Sequence, residues 1–218
     1  MQDRRRRPWF SPPLPREQKF DASSSDCAER IATAVFDYGC DSELAEQQLV
    51  VLCIGTDRST GDSLGPLVGS FLTERSGLQA QVYGTLDSPV HAANLREIVD
   101  WLQDKYEQPL VVAIDACLGR PDSVGNITVG LGPLRPGAGV NKNLPAVGNI
   151  HVTGVVNVGG FMEYFVLQNT RLNLVMKMAR AVAAGVAEAA AETASEASSG
   201  TVDQSEPAEA PDEEDGRE

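Results

Sequence analysis

The fold of this chain is decided by two apolar stretches, LVVLCIG at residues 49–55 and LVVAID at residues 110–115. Stretches of this length that are rich in β-branched residues are typical of strands buried in a parallel sheet. Asp62 follows the first stretch, and Asp115 closes the second. Because ligands and chemistry collect at the carboxyl ends of the strands in such a sheet, the sequence predicts two carboxylates at one edge of one sheet.

The rest of the chain alternates between strand-like and helix-like segments. Further strands are predicted at residues 80–85, 126–129 and 150–156, and helices at residues 26–36, 64–74, 89–106, 161–167 and 172–186. Parallel strands need helical crossovers of about this length. The pattern therefore predicts an α/β fold, a three-layer α/β/α sandwich around a mostly parallel mixed sheet.

Two segments of this pattern stand apart from the regular alternation. Residues 126–129 are short and alternate in polarity, which predicts a strand at an edge of the sheet. Residues 132–149 are rich in Gly and Pro and predict a long irregular loop. Loops longer than ~12–15 residues inside a compact domain are usually functional or mobile.

The length of 218 residues suits one sizeable domain. We expect a single α/β domain at residues 25–187, between a disordered, basic, Pro-rich leader at residues 1–24 and a disordered acidic tail at residues 188–218. The net charge is −13, and the part between leader and tail is mildly acidic. A nucleic-acid-binding face needs clustered Lys and Arg, so no direct nucleic-acid partner is expected.

The hydrophobicity of the chain and the spacing of its cysteines indicate the cellular compartment in which it works. No apolar stretch reaches the ~18 residues that a membrane helix needs, and a Pro-rich segment rather than a signal-peptide core follows the Arg-rich start. We therefore expect a cytoplasmic protein with no membrane partner. The 4 cysteines show neither CxxC pairs nor a regular spacing, so the sequence indicates neither a zinc site nor a disulfide framework.

The loop at residues 55–61 is glycine-rich and opens a helix. A phosphate-binding loop needs Gly-Lys-Ser/Thr at the helix start, whereas this sequence has Gly61, Asp62 and Ser63. An aspartate there would repel a phosphate. Helix capping would explain Asp62 alone, but it leaves the polar run before it unexplained. The loop therefore favours a site of another kind, with Asp62 as a functional candidate.

Asp115 ends a hydrophobic strand, where an unpaired carboxylate is costly to bury. A structural alternative is that it caps the turn at residues 116–120 and pairs with Arg120. If Asp62 and Asp115 approach each other, the two carboxyls should share one proton. One could then activate a water as general base while the other, protonated, polarises a scissile carbonyl. A hydrolase with the catalytic residues Asp62 and Asp115 is therefore the leading hypothesis.

Histidine occurs only at His91 and His151. His91 lies near a predicted helix start, and His151 lies on a predicted strand, where a packed, hydrogen-bonded histidine is expected. A divalent metal bound by Asp62, Asp115 and one histidine has acceptable ligand chemistry, but no spacing demands it. We expect no cofactor and keep a divalent metal as an alternative. Cys117 has no neighbour in sequence that would activate it as a nucleophile.

Four segments carry a resemblance to a known family. They are CIGTDRSTGDSLGP at residues 53–66, YGTLDSPVHA at residues 83–92, AIDACLG at residues 113–119 and VVNVGGFM at residues 155–162. Together they resemble the sporulation protein YyaC family of spore-forming bacteria, over roughly residues 47–185. The candidate substrate-binding residues in these segments are Gly55, Thr56, Asp57, Arg58, Asp87 and His91.

This resemblance carries expectations about activity. The YyaC family is similar to the spore germination protease and, more distantly, to the hydrogenase maturation endopeptidases, which share an α/β sandwich fold. In the germination protease the two catalytic aspartates stand at positions that match Asp62 and Asp115. In the maturation endopeptidases the same positions bind a metal together with a histidine. The resemblance therefore implies an aspartate-dependent endopeptidase of sporulation or germination.

The resemblance leaves other functions open. The substrate would be a protein or peptide, with small spore proteins as one candidate, inside the forespore or spore. One alternative is a metal-dependent maturation-type peptidase that uses the same two carboxylates. Another is a non-catalytic sporulation factor that binds a ligand or protein in the same cleft. A homo-oligomer is compatible with each of these functions.

Overall fold

The computed structural model describes residues 14–40, 47–137, 144–160 and 162–199. The strands are β1 (Glu17–Asp21), β2 (Leu49–Cys53), β3 (Gln81–Tyr83), β4 (Leu110–Gly119), β5 (Asn126–Leu131) and β6 (Ile150–Val158). The helices are α1 (Cys27–Cys40), α2 (Leu64–Thr73), α3 (Leu95–Lys105), α4 (Glu163–Gln168) and α5 (Leu172–Ser199). Two short 3-10 helices lie at Thr60–Ser63 and Pro121–Ser123.

The six strands form one sheet in the order β1-β5-β6-β4-β2-β3. The pairs β6–β4, β4–β2 and β2–β3 are parallel, and the pairs β1–β5 and β5–β6 are antiparallel. The predicted mostly parallel mixed sheet is thus confirmed. Strands β2 and β4 are direct neighbours, with Cys53 opposite Ile114 in register. Their carboxyl ends therefore lie at the same edge of the sheet.

Apolar side chains cover both faces of this sheet. On one face, residues such as Val51 and Ile114 pack with the buried faces of α1, α2 and α5. On the other face, residues such as Val50 and Ala113 pack with Leu95 of α3. This alternation explains why the central strands read as continuous apolar runs, since both of their faces are buried. The predicted α/β/α sandwich is confirmed.

The predicted leader is wrong for Glu17–Asp21, which form β1. This strand pairs with β5 from Glu17 opposite Gly130 to Asp21 opposite Asn126, and Phe20 is buried in the core. A short strand with one inward apolar residue carries little periodicity, so only its pairing with β5 reveals it. Because β1 covers it, β5 is an interior strand, and the prediction of an edge position for residues 126–129 is wrong.

The predicted start of the disordered tail at residue 188 is also wrong, because α5 continues to Ser199. Ala189 and Ala190 are buried against the core. Alanine has the highest helix propensity, and its small side chain lets a helix pack closely without large apolar residues. Residues 1–13 of the leader, 200–218 of the tail and 138–143 of the predicted loop lie outside the described residues. None of the described helices is long and apolar enough to cross a membrane.

Candidate active site

Asp115 lies inside β4 rather than at its end, because the strand continues to Gly119. It stands opposite Thr153 of β6 in register, and only 8% of its surface is exposed. Its Oδ1 accepts a hydrogen bond from the Ala116 N–H at 2.8 Å. Burial and then the nearby charge of Asp62 raise the pKa of the Asp115 carboxyl well above its usual range, against the lowering effect of Ala116. The fold therefore favours a protonated carboxyl at this position.

Asp62 lies in the 3-10 helix Thr60–Ser63, which joins the loop after β2 to α2. The interpretation of Asp62 as a helix cap is wrong, since Ser63 occupies the cap position of α2 and its side chain forms no capping hydrogen bond. The Ser63 hydroxyl instead donates to the Thr60 carbonyl oxygen at 2.7 Å. Asp62 is thus part of a tight turn over the carboxyl end of β2.

Gly55 determines how closely this turn approaches the sheet. Its φ of +143° is a conformation that side chains disfavour. A Cβ at this position would lie 2.0 Å from the Asp62 carbonyl oxygen. That oxygen accepts a hydrogen bond from the Thr56 N–H at 3.0 Å. Gly55 therefore contributes through its backbone, by letting the loop fold back and place Asp62 above β4.

The two carboxylates line two adjoining cavities, which together we call the cleft. Cavity A has a volume of about 340 Å³, and its lining includes Thr56, Arg58 and His91. Cavity B has a volume of about 260 Å³, and its lining includes Cys117, Thr153 and Glu163. Four residues line both cavities: Asp62, Asp115, Gly137 and Leu167. The carboxylates thus stand where the two cavities meet.

The structure brings most of the predicted site residues together. Gly55, Thr56, Arg58 and His91 line cavity A with both aspartates. Asp57 and Asp87 are exposed and line neither cavity. Asp87 lies in a tight turn in which the Thr85 N–H donates to the Ser88 carbonyl oxygen at 3.2 Å. Adjacent residues of one tight loop, such as Asp57 and Arg58, can therefore differ in whether they line the cleft. The periodicity of the sequence does not predict this difference.

The two histidines have different surroundings. The His91 backbone N–H donates to Asn94 Oδ1 at 2.8 Å, and its ring Nδ1 accepts from the Ala93 N–H at 3.3 Å. The predicted start of this helix at residue 89 is wrong, because α3 begins only at Leu95. The turn before it, which includes His91, is held by these hydrogen bonds. His151 is 3.0 Å from the Gly132 carbonyl oxygen through Nδ1. The prediction of a packed, hydrogen-bonded histidine at 151 is confirmed.

The structural alternative in which Asp115 pairs with Arg120 is wrong. The Arg120 guanidinium instead binds Asp122, two residues along the chain. Both partners are exposed on a turn after β4. Within the described residues, Asp115 forms no ion pair, so its buried carboxyl is not held as the partner of a base.

Several residues of the cleft are not among the candidate site residues that the sequence predicts. Cys117 lies two residues after Asp115 on the same strand, and burial, then the Asp115 charge, raise the pKa of its thiol to about 11. The thiol therefore stays protonated near neutral pH and is a poor nucleophile. Strand alternation could have indicated Cys117. Arg135 lies in the predicted long loop at residues 132–149 and lines cavity B. Thr153, Glu163, Tyr164 and Leu167 reach the cleft from other elements, and no local pattern indicates them.

The fit of a metal depends on a third ligand. The part of the chain that the structure describes contains no group of three or more His, Cys, Asp or Glu side chains placed to bind a metal ion. Catalytic zinc sites use three protein ligands. Asp62 and Asp115 alone do not make such a set, so the described residues do not fit the metal centre that the maturation endopeptidases imply.

Comparison with known proteins assigns the chain to a family. The family described as "Protein of unknown function (DUF1256)" matches residues 23–185. The chain belongs to this family. "Uncharacterized protein YyaC" of Bacillus subtilis (strain 168) is 59% identical over 139 residues, which cover 64% of this chain and 68% of that protein. The resemblance to the YyaC family is thereby confirmed, and the family match spans every residue of the cleft.

Proposed function

We propose that this protein is an endopeptidase that hydrolyses peptide bonds with a dyad of Asp62 and Asp115. One observation supports this proposal above the others: two carboxylates from separate elements line the same two cavities, and the charge of one raises the pKa of the other. Asp115 is buried and Asp62 is half-buried, and holding two acids where the charge of one opposes that of the other is costly for stability. Such pairs are typical of sites in which one acid donates a proton and the other accepts one.

The burial of Asp115 determines which of the two carboxyls is protonated before the reaction starts. Asp115 carries the shared proton because its charged form is disfavoured. Asp62 is then the carboxylate that accepts a proton from water, while the water oxygen forms a bond to the carbonyl carbon. Asp115 gives its proton to the carbonyl oxygen in the same step. When the C–N bond breaks, Asp62 returns its proton to the leaving nitrogen, and Asp115 recovers a proton from the tetrahedral hydroxyl.

The shape of the cleft favours cleavage within a chain. A substrate placed with its scissile bond at the carboxylates has one cavity on either side, so a polypeptide can continue in both directions. From the family resemblance we extend the proposal to a setting in sporulation or germination. Small spore proteins inside the forespore or spore are then the substrates to test first.

The direct test compares the wild type with Asp115→Asn. Each protein is incubated with extracted small spore proteins, and new peptide ends are identified by mass spectrometry. Removing one member of an acid–base pair lowers rates by about 100-fold or more, so the variant should yield almost no new ends. Asp122→Asn, which removes a carboxyl outside the cleft, should cleave like the wild type. Identical products from wild type and Asp115→Asn would contradict the proposal.

Chelation separates the dyad from the metal-dependent alternative. The described residues do not assemble three ligands, so we derive no step through a metal. Cleavage that is unchanged after treatment with EDTA fits the dyad. Loss of cleavage that added divalent metal restores would favour a metal-dependent peptidase on the same carboxylates.

A further inference from the structure

The start of α4 carries a concentration of exposed apolar side chains. Met162, Tyr164 and Phe165 are 53%, 64% and 53% exposed, and Leu172 shortly after them is 56% exposed. The Tyr164 and Phe165 rings meet edge to face, 5.9 Å apart. Exposed apolar residues are usually scattered singly over a soluble protein, whereas clusters of them mark interaction sites. We call Met162, Tyr164 and Phe165 the α4 face.

The helix that carries this face is anchored from its inner side. The Asn157 amide donates to the Val166 carbonyl oxygen and to Thr170 Oγ1, each at 3.2 Å. Thr170 is buried and donates in turn to the Val166 carbonyl oxygen at 2.9 Å. Leu167 packs so closely on Gly61 that a Cβ there would lie 2.7 Å from its Cδ2. The exposed side chains thus belong to a helix that is already packed in place.

The α4 face is continuous with the cleft. Tyr164 lines cavity A, Glu163 lines cavity B and Leu167 lines both. One short helix therefore forms a wall of the cleft on its inner side and an apolar surface on its outer side. A polypeptide that leaves the cleft past Tyr164 would meet that surface next.

The size of the face decides between two kinds of partner. A stable interface between two folded copies uses about 20–30 residues on each side and buries about 800 Å² per partner. The α4 face supplies three side chains, which is too few for such a dimer but suits an extended segment with a few apolar anchors. Aromatic residues and Met are enriched at the centres of interfaces, where a few side chains dominate the binding energy.

We propose that the α4 face binds an extended, apolar stretch of polypeptide that continues into the cleft. The inference rests on the proposed function in taking the cleft as the place where the chain is cleaved. It adds the class of substrate, namely an unfolded or extended segment whose apolar residues lie beside the scissile bond. Binding at this face does not itself require chemistry at the dyad.

The test measures binding separately from cleavage. The probe is a labelled, uncharged synthetic peptide of about 20 residues in which apolar and polar residues alternate, and a second peptide has Ser at the apolar positions. Fluorescence anisotropy is recorded with full-length Asp115→Asn protein, with and without Tyr164→Ser and Phe165→Ser. We expect the apolar peptide to bind about tenfold more weakly when both aromatic residues are replaced. Trp101→Ser, at an exposed aromatic residue of α3, should change binding by less than about twofold.

The outcomes separate this inference from the proposed function. Equal affinity for the two peptides, or unchanged binding by the Tyr164→Ser/Phe165→Ser protein, overturns the docking surface even if the wild type cleaves. Specific binding of the apolar peptide, together with no cleavage of small spore proteins by the wild type, overturns the peptidase and leaves the docking surface standing. Sedimentation that shows a wild-type dimer and a monomeric Tyr164→Ser/Phe165→Ser protein assigns the face to self-association and also overturns it. Matching thermal unfolding curves confirm that the replaced residues act at the surface.

Discussion

The cleft and the α4 face lie side by side, yet they break the usual rule of burial in opposite directions. The cleft buries an acid, Asp115, in a place where charge is costly. The α4 face leaves Tyr164 and Phe165 in water, where apolar surface is costly. Most of the remaining core follows the rule. Departures that stability alone does not explain are typical of functional sites, and here two of them meet at Leu167.

Gly61 physically connects the two regions. It precedes Asp62 in the 3-10 helix, and its lack of a side chain lets Leu167 of α4 pack against it. The turn that places the acid therefore also seats the helix that carries the apolar face. Changes on one side of this contact should be separable from changes on the other.

The largest effect is expected from Asp62→Asn. Losing the proposed general base should reduce the rate of cleavage by about 100-fold or more, while binding of the apolar peptide at the α4 face is retained. Asp57→Asn is the matched control, because Asp57 belongs to the same loop but lines neither cavity. Initial rates on one peptide measure the effect. Equal losses in the two variants would show that the loop acts as a whole rather than through Asp62.

A smaller effect, on stability, is expected from Gly55→Ala. The new Cβ would collide with the Asp62 carbonyl oxygen in a backbone conformation that is already strained for alanine. Overpacking and strain together should lower the free energy of unfolding by about 3 kcal/mol. Gly77→Ala shares the positive φ but meets no atom within 4 Å, so it should cost about 1 kcal/mol. Urea denaturation measures the free energy of unfolding of both variants. Similar losses of stability in the two would contradict the role of Gly55 in letting the loop approach the sheet.

The smallest effect is the pH dependence of stability at Asp115. Its pKa is raised in the folded state, so the folded protein holds the proton more tightly than the unfolded chain, and unfolding releases it. Stability should therefore fall as pH rises from about 4, the unfolded pKa, through the folded pKa. Asp115→Asn stays neutral, so its Tm should exceed that of the wild type by a margin that grows over this range.

Asp122→Asn is the control, because the pH dependence of stability expected from Asp122 has the opposite sign to that from Asp115. Arg120 lowers the pKa of Asp122, so any stabilisation by this carboxyl is present above the unfolded pKa and is lost as pH falls. Thermal unfolding of the three proteins between about pH 2 and 8 checks both directions, because the Asp122 effect lies below about pH 4 and the Asp115 effect above it. A Tm difference between wild type and Asp115→Asn that does not change with pH would mean that burial does not raise the pKa of the Asp115 carboxyl.

Most of the central sheet could be predicted because its strands are buried on both faces. Residues 49–54 and 110–114 are apolar without interruption, and that pattern is typical of few structures. The edges could not be predicted in the same way. Strand β1 has one inward apolar residue, Phe20, and beyond residue 188 α5 buries small side chains such as those of Ala189 and Ala190. In both places packing against a distant partner, rather than local composition, decides the structure.

The sequence by itself determined the α/β class, the central strands and the two aspartates, because strand periodicity and the position of a carboxylate after an apolar run are local properties. Only the tertiary structure decided that Asp62 and Asp115 share a cleft, that Asp57 and Asp87 lie outside it, and that α4 forms its wall. These relations depend on how a loop folds back over Gly55 and how Asn157 anchors α4. Such contacts join residues far apart in the chain, and no spacing within one segment encodes them.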